Sequence, residues 1–483
     1  MFLSYTRRFA RPNRIVFICI LALAASSFAP LHAQPRQQRL NVISILTDDQ
    51  ALWTLSCYGS RESRTPNIDR IAIHGARFTN AFTATPVCSA SRAISLTGRY
   101  GTQLGVTDFL TVDEENRGAG LRPGTVTWPD VLRKNGYATA LMGKWHLGRL
   151  PATLPDKFGF ERFYGFLGAG AHPTAPVFHF ADGPRKLSGC TADLITDEAL
   201  TYLAQQRDRP FALSLHYREP HEPYGPMPEA DTRALADLDP AMPDAPGLDA
   251  AQIKRWRREY FTAVHAIDRN VGRLIAALEQ HGLWEKTVII FTSDHGYNIG
   301  EHTIHGKGNA MWIAAGLDGP RRPNLWDSSL RVPLLVRWPG VGKPGAVIED
   351  TVSNVDTFAS VLGMLGVEIP AGYNHEGMDF SPRLRGEITP PRDAFFAQYD
   401  LHHLGLARMR AVRTAHWKLV RHFESHELDE FYDLAADPGE RRNLMHWGVV
   451  RTSTPEQTKA LADLDVRLRS WMREIGDPVL AGP

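Results

Sequence analysis

Three carboxylates stand where apolar runs of the sequence end. Asp48 and Asp49 follow residues 40–46, and Asp294 follows residues 287–292. Adjacent carboxylates repel one another, so Asp48-Asp49 reads either as part of a divalent-cation site or as a solvated loop. A third carboxylate arriving from another strand end favours a hard cation, Ca²⁺ or Mg²⁺, because such ions take oxygen ligands. His295 follows Asp294 at once and reads either as a direct ligand or as a hydrogen-bond partner of one. A second group is Cys88-Ser89-Ala90-Ser91-Arg92. Residues 90–97 pattern as a helix, which puts Cys88 at its N-terminus, where free N–H groups and the helix dipole favour anions. Arg92, one turn on, adds a permanent charge with bidentate geometry. On these residues alone, Cys88 reads first as an ordinary buried thiol. Lys144, His146, His221 and Lys307 complete the polar set. Singly each reads as surface or structural; gathered at strand ends beside an anion site, they can bind, donate and accept protons. His216 lies in or at the end of its strand, and His302 and His305 flank Lys307 as substrate-facing or loop residues. Trp312 and Trp326 read as a sugar platform or as core.

These residues share one kind of neighbourhood. Residues 40–46, 137–142, 211–215, 287–292 and 332–338 are short, β-branched and apolar on both faces, the pattern of buried strands. Helical patterns lie between them. Thr65-Pro66 opens one, with Ile68, Ile71 and Ala72 at helical spacing. Others span 126–135, 191–206 and 253–281, and 354–365 is capped by Asn354 and stopped by Gly366. Strands alternating with helices predict a doubly wound, mostly parallel α/β sheet with helices on both faces. Ligands of such sheets bind beyond the carboxyl ends of the strands, where Asp48, Lys144, His221 and Asp294 all fall. Residues 224–251 read as a long surface loop, and loops 168–190, 222–250 and 303–328 as the rim of the site. After about residue 370 the pattern becomes that of a smaller antiparallel-sheet subdomain, with strands over 408–421 and 430–434. Thr454-Pro455 opens a final helix that Gly476 closes.

Cys88-x-Ala90-x-Arg92, followed by Leu96-Thr97-Gly98-Arg99, resembles the signature of the type I, formylglycine-dependent sulfatases of the alkaline-phosphatase-like superfamily. Ala90 stands where that family usually has Pro. Further landmarks follow in the family's order. They are Asp48-Asp49, Gly143-Lys144-Trp145-His146-Leu147-Gly148, Gly159-Phe160 with Phe163-Tyr164-Gly165, Pro220-His221-Glu222-Pro223, and Ser293-Asp294-His295-Gly296. The likeness runs from residue 41 to about residue 444. It implies an alkaline-phosphatase-like fold and hydrolysis of a sulfate ester on a small molecule or glycan; the export signal, the long insertion over 224–251 and Trp312 and Trp326 near Lys307 point to a carbohydrate. It implies that a formylglycine-generating or sulfatase-maturing enzyme oxidises Cys88 to formylglycine (3-oxoalanine), whose hydrate attacks sulfur. It assigns Ca²⁺, with Mg²⁺ second, to Asp48, Asp49, Asp294 and the modified Cys88, with His295 where the family often has Asn. It gives sulfate binding to Arg92 and Lys144, the base on the hydrate to His146, and the leaving-group oxygen to His221 and Lys307. Two other readings remain. One is a phosphodiesterase or phosphonate monoester hydrolase of the same superfamily; a second metal in the site would signal phosphatase chemistry, and the sequence offers no obvious second set of carboxylates for it. The other is a sulfated-glycan-binding pseudo-sulfatase, against which every expected polar position is filled.

Composition is that of a globular protein. Apolar residues make up 43% and charged residues 22% of 483, enough for a sizeable core. A net charge of +1 with mixed signs argues against a nucleic-acid binder. Arg7, Arg8, Arg11 and Arg14 precede an apolar run over 15–25, and Leu31-His32-Ala33 fits a cleavage site. The expected organisation is a signal peptide over 1–33, a catalytic domain over 34–370 and the smaller subdomain over 371–483. The mature chain is expected to be periplasmic or secreted, with no membrane anchor left after cleavage. Export leaves Cys57, Cys88 and Cys190, an odd number in an oxidising compartment. A Cys57–Cys190 disulfide and two separate buried thiols are both compatible with that count.

Overall fold

The computed structural model describes residues 39–481 except 181, 206–208, 317, 404 and 451–453; the expected signal peptide lies outside the described residues. Ten strands form the central sheet. In chain order they are β1 (Asn41–Thr47), β2 (Ala76–Phe82), β3 (Ala138–Lys144), β4 (Arg162–Phe166), β5 (Val177–Phe180), β6 (Gly183–Lys186), β7 (Phe211–His216), β8 (Thr287–Ser293), β9 (Leu334–Arg337) and β10 (Ala346–Ser353). Their spatial order is β10-β2-β9-β8-β1-β7-β3-β4-β5-β6. The neighbours β8, β1, β7, β3 and β4 are parallel.

The expected run over 332–338 becomes β9, which is antiparallel to both β8 and β2. Among the described residues, no long helix after β8 carries the chain back to the amino ends of the strands. The next strand of this sheet therefore starts at the end where β8 finished and runs back; a parallel strand needs a crossover.

Alternation along the strands splits the core into two layers. Ile43 and Ile45, Leu213 and Leu215, and Ile289 and Phe291 pack with helices Pro66–Ile73, Thr191–Gln205 and Ala250–Gln280. Val42, Ala212, Val288 and Ile290 face the other way, onto helices Cys88–Thr97, Trp128–Lys134 and Thr357–Leu365. Helices thus cover both faces of a mostly parallel sheet.

Several local expectations shift. The long helix begins at Ala250, three residues early, because Asp249 accepts from the amides of Ala251 and Gln252. The stretch over 224–251 is not all surface loop: it holds a short helix, Glu229–Ala234, and Tyr224 is buried. The helix expected over 126–135 is Trp128–Lys134 with Thr127 as its cap. Asn354 does not cap its helix. Ser353 caps a turn over Asn354–Asp356, in a capping box with Asp356. The Asn354 side chain is engaged elsewhere: it donates to Thr83 Oγ1 and Ser91 Oγ, both at 3.0 Å, and accepts from the Ala84 amide.

The C-terminal residues form an antiparallel sheet of β11 (Phe395–Leu401), β12 (Ala407–Arg413), β13 (Trp417–His422) and β14 (Glu430–Asp433). Phe395, Ala397 and Tyr399 pack on Phe82, Val87 and Ala90, beside the start of the Cys88 helix. Thr454 caps the last helix, Pro455–Glu474, through a capping box. Cys57 is half-buried and Cys190 buried, each a free thiol.

Candidate active site

The carboxyl ends of β8, β1, β7 and β3 lie side by side, and every residue singled out at a strand end meets there. Asp49 and His146 both hold left-handed backbone, φ 66° and 56°. That region is uncommon for residues with a Cβ, though Asp and His tolerate it better than most. Such strain costs roughly 1–3 kcal/mol per residue and collects at functional sites.

Cys88 opens helix Cys88–Thr97 after extended Val87, and its side chain is buried. Its Sγ lies 3.0 Å from Lys307 Nζ and 3.5 Å from His295 Nε2. Burial opposes ionisation of the thiol, but Lys144 and Lys307 outweigh it and hold its pKa well below the usual range. Arg92 is also buried. Its Nε and Nη2 donate to Asp294 Oδ2 at 3.1 and 2.9 Å, and Nη2 lies 3.5 Å from Asp48 Oδ1. Lys144 Nζ donates to Asp48 Oδ2 at 2.6 Å, and Lys307 Nζ donates to Asp49 Oδ1. Three carboxylates thus face three cationic side chains.

These side chains form a group that could hold a divalent cation. Asp48 Oδ1 is buried and has no hydrogen-bond partner. His295 donates Nδ1–H to the Gly296 carbonyl at 2.9 Å, so its Nε2 points at Asp49 Oδ1 at 3.2 Å and Asp294 Oδ1 at 3.4 Å. Ligand atoms of Asp48, Asp49, Cys88 and His295 lie within 4.8 Å of one another. Asp294 stands at the edge of this group. Its Oδ1 accepts from the amides of Asp49 and His295, and its Oδ2 is taken by Arg92.

The two histidines differ in kind. His146 is buried and its Nε2 lies 2.9 Å from the Leu110 carbonyl, to which it must donate; Nδ1 is left without a partner. Burial, with Lys144 beside it, pushes its pKa down. His221 is partly open, 24% exposed; its Nδ1 donates to the Glu222 carbonyl at 2.7 Å, and Nε2 lies 3.7 Å from Asp49 Oδ2. Burial would lower its pKa, but Asp49 prevails and raises it. One ring offers a lone pair and the other a proton.

Some residues take other places. His302 stacks on Trp326 at 4.0 Å, and Trp326 is buried with Ile304, Tyr432 and Leu434. Trp312 stays 40% exposed. His305 stacks on Trp256 at 4.2 Å, and its Nε2 lies 2.7 Å from the Tyr224 hydroxyl.

Other contributors carry no strong sequence signal. His216 sits under the site, with Nδ1 3.0 Å from the Lys144 carbonyl and 3.5 Å from Arg92 Nη1; burial and Arg92 push its pKa down to about 3. The Tyr260 hydroxyl bonds the Ala51 amide and the Asp49 carbonyl. Leu110 acts through its backbone. Only the strand-end position of His216 could have pointed to a role.

Comparison with known proteins matches residues 40–367 to the family model described as Sulfatase. Residues 321–467 match the model for N-sulphoglucosamine sulphohydrolase, C-terminal. Human arylsulfatase A is 30% identical, over 88% of this chain and 87% of its own. The N-acetylglucosamine-6-O-sulfatase of Bacteroides thetaiotaomicron is 27% identical, over 88% and 86%. A solved structure holding its substrate, D-glucosamine-2-N,6-O-disulfate, superposes with TM-score 0.77 at 24% identity, covering 91% of this chain and 99% of that one.

Proposed function

We propose, on the premise that this chain belongs to the sulfatase family and is a sulfuric ester hydrolase, that it removes sulfate from a carbohydrate. In this reading Cys88 is oxidised to formylglycine by a maturing enzyme. What supports the reading is that His146, with Nδ1 free, and His221, with Nδ1 committed to Glu222, both bear on the Cys88 thiol together with Lys144 and Lys307.

Asp48, Asp49, Asp294, His295 and the oxidised Cys88 side chain would hold Ca²⁺, with Mg²⁺ second. The unpartnered Asp48 Oδ1 and the inward His295 Nε2 support this. With three carboxylates balanced by three cations, the cation would supply the surplus positive charge that an anionic ester and an ionised nucleophile meet. Oxidation of Cys88 would supply, as the aldehyde hydrate, an oxygen nucleophile with a second hydroxyl through which the carbonyl can re-form.

The chain's own residues do the rest. Arg92 and Lys144, held on Asp48 and Asp294, receive sulfuryl oxygens in fixed positions, so little reorganisation accompanies charge build-up. His146 accepts a proton at Nδ1, because Nε2–H is committed to Leu110. His221 donates the Nε2 proton to the departing oxygen, because Nδ1–H is committed to Glu222. Lys307, whose pKa Asp49 and Cys88 hold up against burial, stays charged beside them.

An open groove of about 520 Å³ that begins at Glu222, the residue after His221, with Tyr224, Trp256 and Glu259 along it, supports a saccharide leaving group. So do relatives named for N-acetylglucosamine-6-O- and ulvan sulfates. We place the mature protein in the periplasm or outside the cell. Among the described residues no helix is long and apolar enough to cross a membrane. The test compares specificity constants of matured enzyme on sulfated saccharides, activated aryl sulfates and phosphodiesters. A saccharide sulfate should win once leaving-group reactivity is corrected. An aryl sulfate doing equally well would refute the carbohydrate, and a phosphodiester winning would move the chain to phosphoester chemistry.

A further inference from the structure

A second group of metal-ligating side chains lies outside the site just described and shares no residue with it. Asp108 is buried. Its Oδ1 accepts from the Tyr399 hydroxyl and the Phe109 amide, both at 2.9 Å. Its Oδ2 accepts from the His402 amide at 3.0 Å and faces two ring nitrogens, His403 Nδ1 at 3.0 Å and His402 Nδ1 at 3.6 Å. The far nitrogens of both rings meet one carboxylate. His402 Nε2 lies 3.1 Å from Glu114 Oε1, and His403 Nε2 lies 2.9 Å from Glu114 Oε2. Glu114 is itself fixed as an acceptor by the amide and hydroxyl of Thr111, at 2.9 and 2.8 Å.

These bonds set the chemistry. Glu114 needs an N–H from each ring, so each Nε2 carries one, and each Nδ1 can then present a lone pair toward Asp108. Each Nδ1 faces only oxygen acceptors, Asp108 Oδ2 for both rings and the Asp400 carbonyl for His402, so either a second proton on each ring or a metal ion shared by the two lone pairs satisfies them, and metal uptake tells the two apart. For a tetrahedral ion with bonds of about 2.0–2.1 Å, ligand atoms sit about 3.3 Å apart; the observed 3.0 and 3.6 Å bracket that value. The Asp400 carbonyl oxygen adds a further donor 3.4 Å from His402 Nδ1. A carboxylate behind each ligating imidazole is the arrangement that orients histidines on metals. His402 is 46% exposed, so an ion can reach the group from solvent.

We propose that Asp108, His402 and His403, oriented by Glu114, bind a zinc-type divalent transition ion separate from the hard-cation site at Cys88. Imidazole nitrogen suits such an ion better than calcium. The ion braces two parts of the chain. Asp108 is two residues from Leu110, whose carbonyl holds His146, and His402 follows directly on β11. It is thus a clamp on the loop that orients the proposed base.

The test uses the full matured protein with calcium in excess, and Co²⁺ as a probe whose visible absorption reports tetrahedral nitrogen and oxygen ligation. One Co²⁺ per chain should bind, be displaced by Zn²⁺, and persist in Cys88→Ser. Asp108→Asn and His403→Gln should abolish it. Glu114→Gln, which removes no ligand, should weaken it about 10- to 100-fold; the wild-type circular dichroism spectrum identifies folded variants. Failure of the wild type to take up Co²⁺, or an unchanged spectrum in His403→Gln, overturns the proposal. So does loss of affinity for a sulfated saccharide in His403→Gln when the wild type binds no Co²⁺, since the group then serves the substrate.

Discussion

Replacing His221 with alanine separates its chemistry from its structural role. One hydrogen bond holds the ring, from Nδ1 to the Glu222 carbonyl at 2.7 Å. The side chain is partly open to solvent, so its removal lets water reach that carbonyl. The pairing of Nε2 with Asp49 is lost too, though Lys307 stays on Asp49, so the cost to folding is about 1–2 kcal/mol. The cost to catalysis is that of a general acid, about 10²- to 10⁴-fold in rate or roughly 3–5 kcal/mol. That cost depends on the leaving group. A sugar alkoxide leaves badly without a proton, whereas an activated phenolate leaves unaided. The assay measures kcat/KM of wild type and His221→Ala on a sulfated sugar and on an activated aryl sulfate. The loss should approach the upper range on the sugar and fall below about tenfold on the aryl ester. Equal losses on both substrates, in folded protein, would refute the assignment of the Nε2 proton to the leaving oxygen.

Four further outcomes follow from particular contacts. Peptide mass spectrometry of active protein should find formylglycine at position 88; fully active enzyme with an alkylatable Cys88 would contradict the nucleophile. Asp49→Asn should reduce both bound calcium and rate, and because Asn also tolerates the φ of 66° the fold should persist; unchanged metal content would remove Asp49 from the ligand set. His146→Ala should release about one equivalent of alcohol and then stall, which rapid-quench kinetics would show; steady turnover without a burst counts against His146 as the later base. Asp268 accepts from the amides of Asn67 and Ile68 at 2.9 and 2.8 Å, capping helix Pro66–Ile73, where Thr65 makes no cap bond. Asp268→Ala should therefore lose about 2–4 kcal/mol in urea unfolding, and a loss under 1 kcal/mol would show that other groups satisfy those amides.

Much of the site is legible in the sequence because its residues sit at ends of elements that local pattern defines. A β-branched run such as residues 40–46 forms a strand wherever it is buried, so Asp48 and Asp49 come out at its carboxyl end. Helical spacing after Cys88 puts the thiol at a helix start, and Arg92 one turn on follows without knowledge of the rest. Parallel winding then gathers those ends on one edge. The Cys88-x-Ala90-x-Arg92 match carries the chemistry further than any of these patterns.

The tertiary structure alone decided which atoms face which. His146 is a base at Nδ1 only because the Leu110 carbonyl, a group every residue carries, claims Nε2. Asn354 looks like a helix cap from its neighbours, yet its amide is spent on Thr83 and Ser91, far away along the chain. Trp312 and Trp326 look alike in sequence, but packing against Tyr432 buries one and leaves the other open. The Asp108, His402 and His403 group joins residues some 294 positions apart. No local propensity reports such a meeting, because it depends on how the C-terminal sheet docks beside the Cys88 helix, and docking is settled by shape and buried apolar surface summed over many residues.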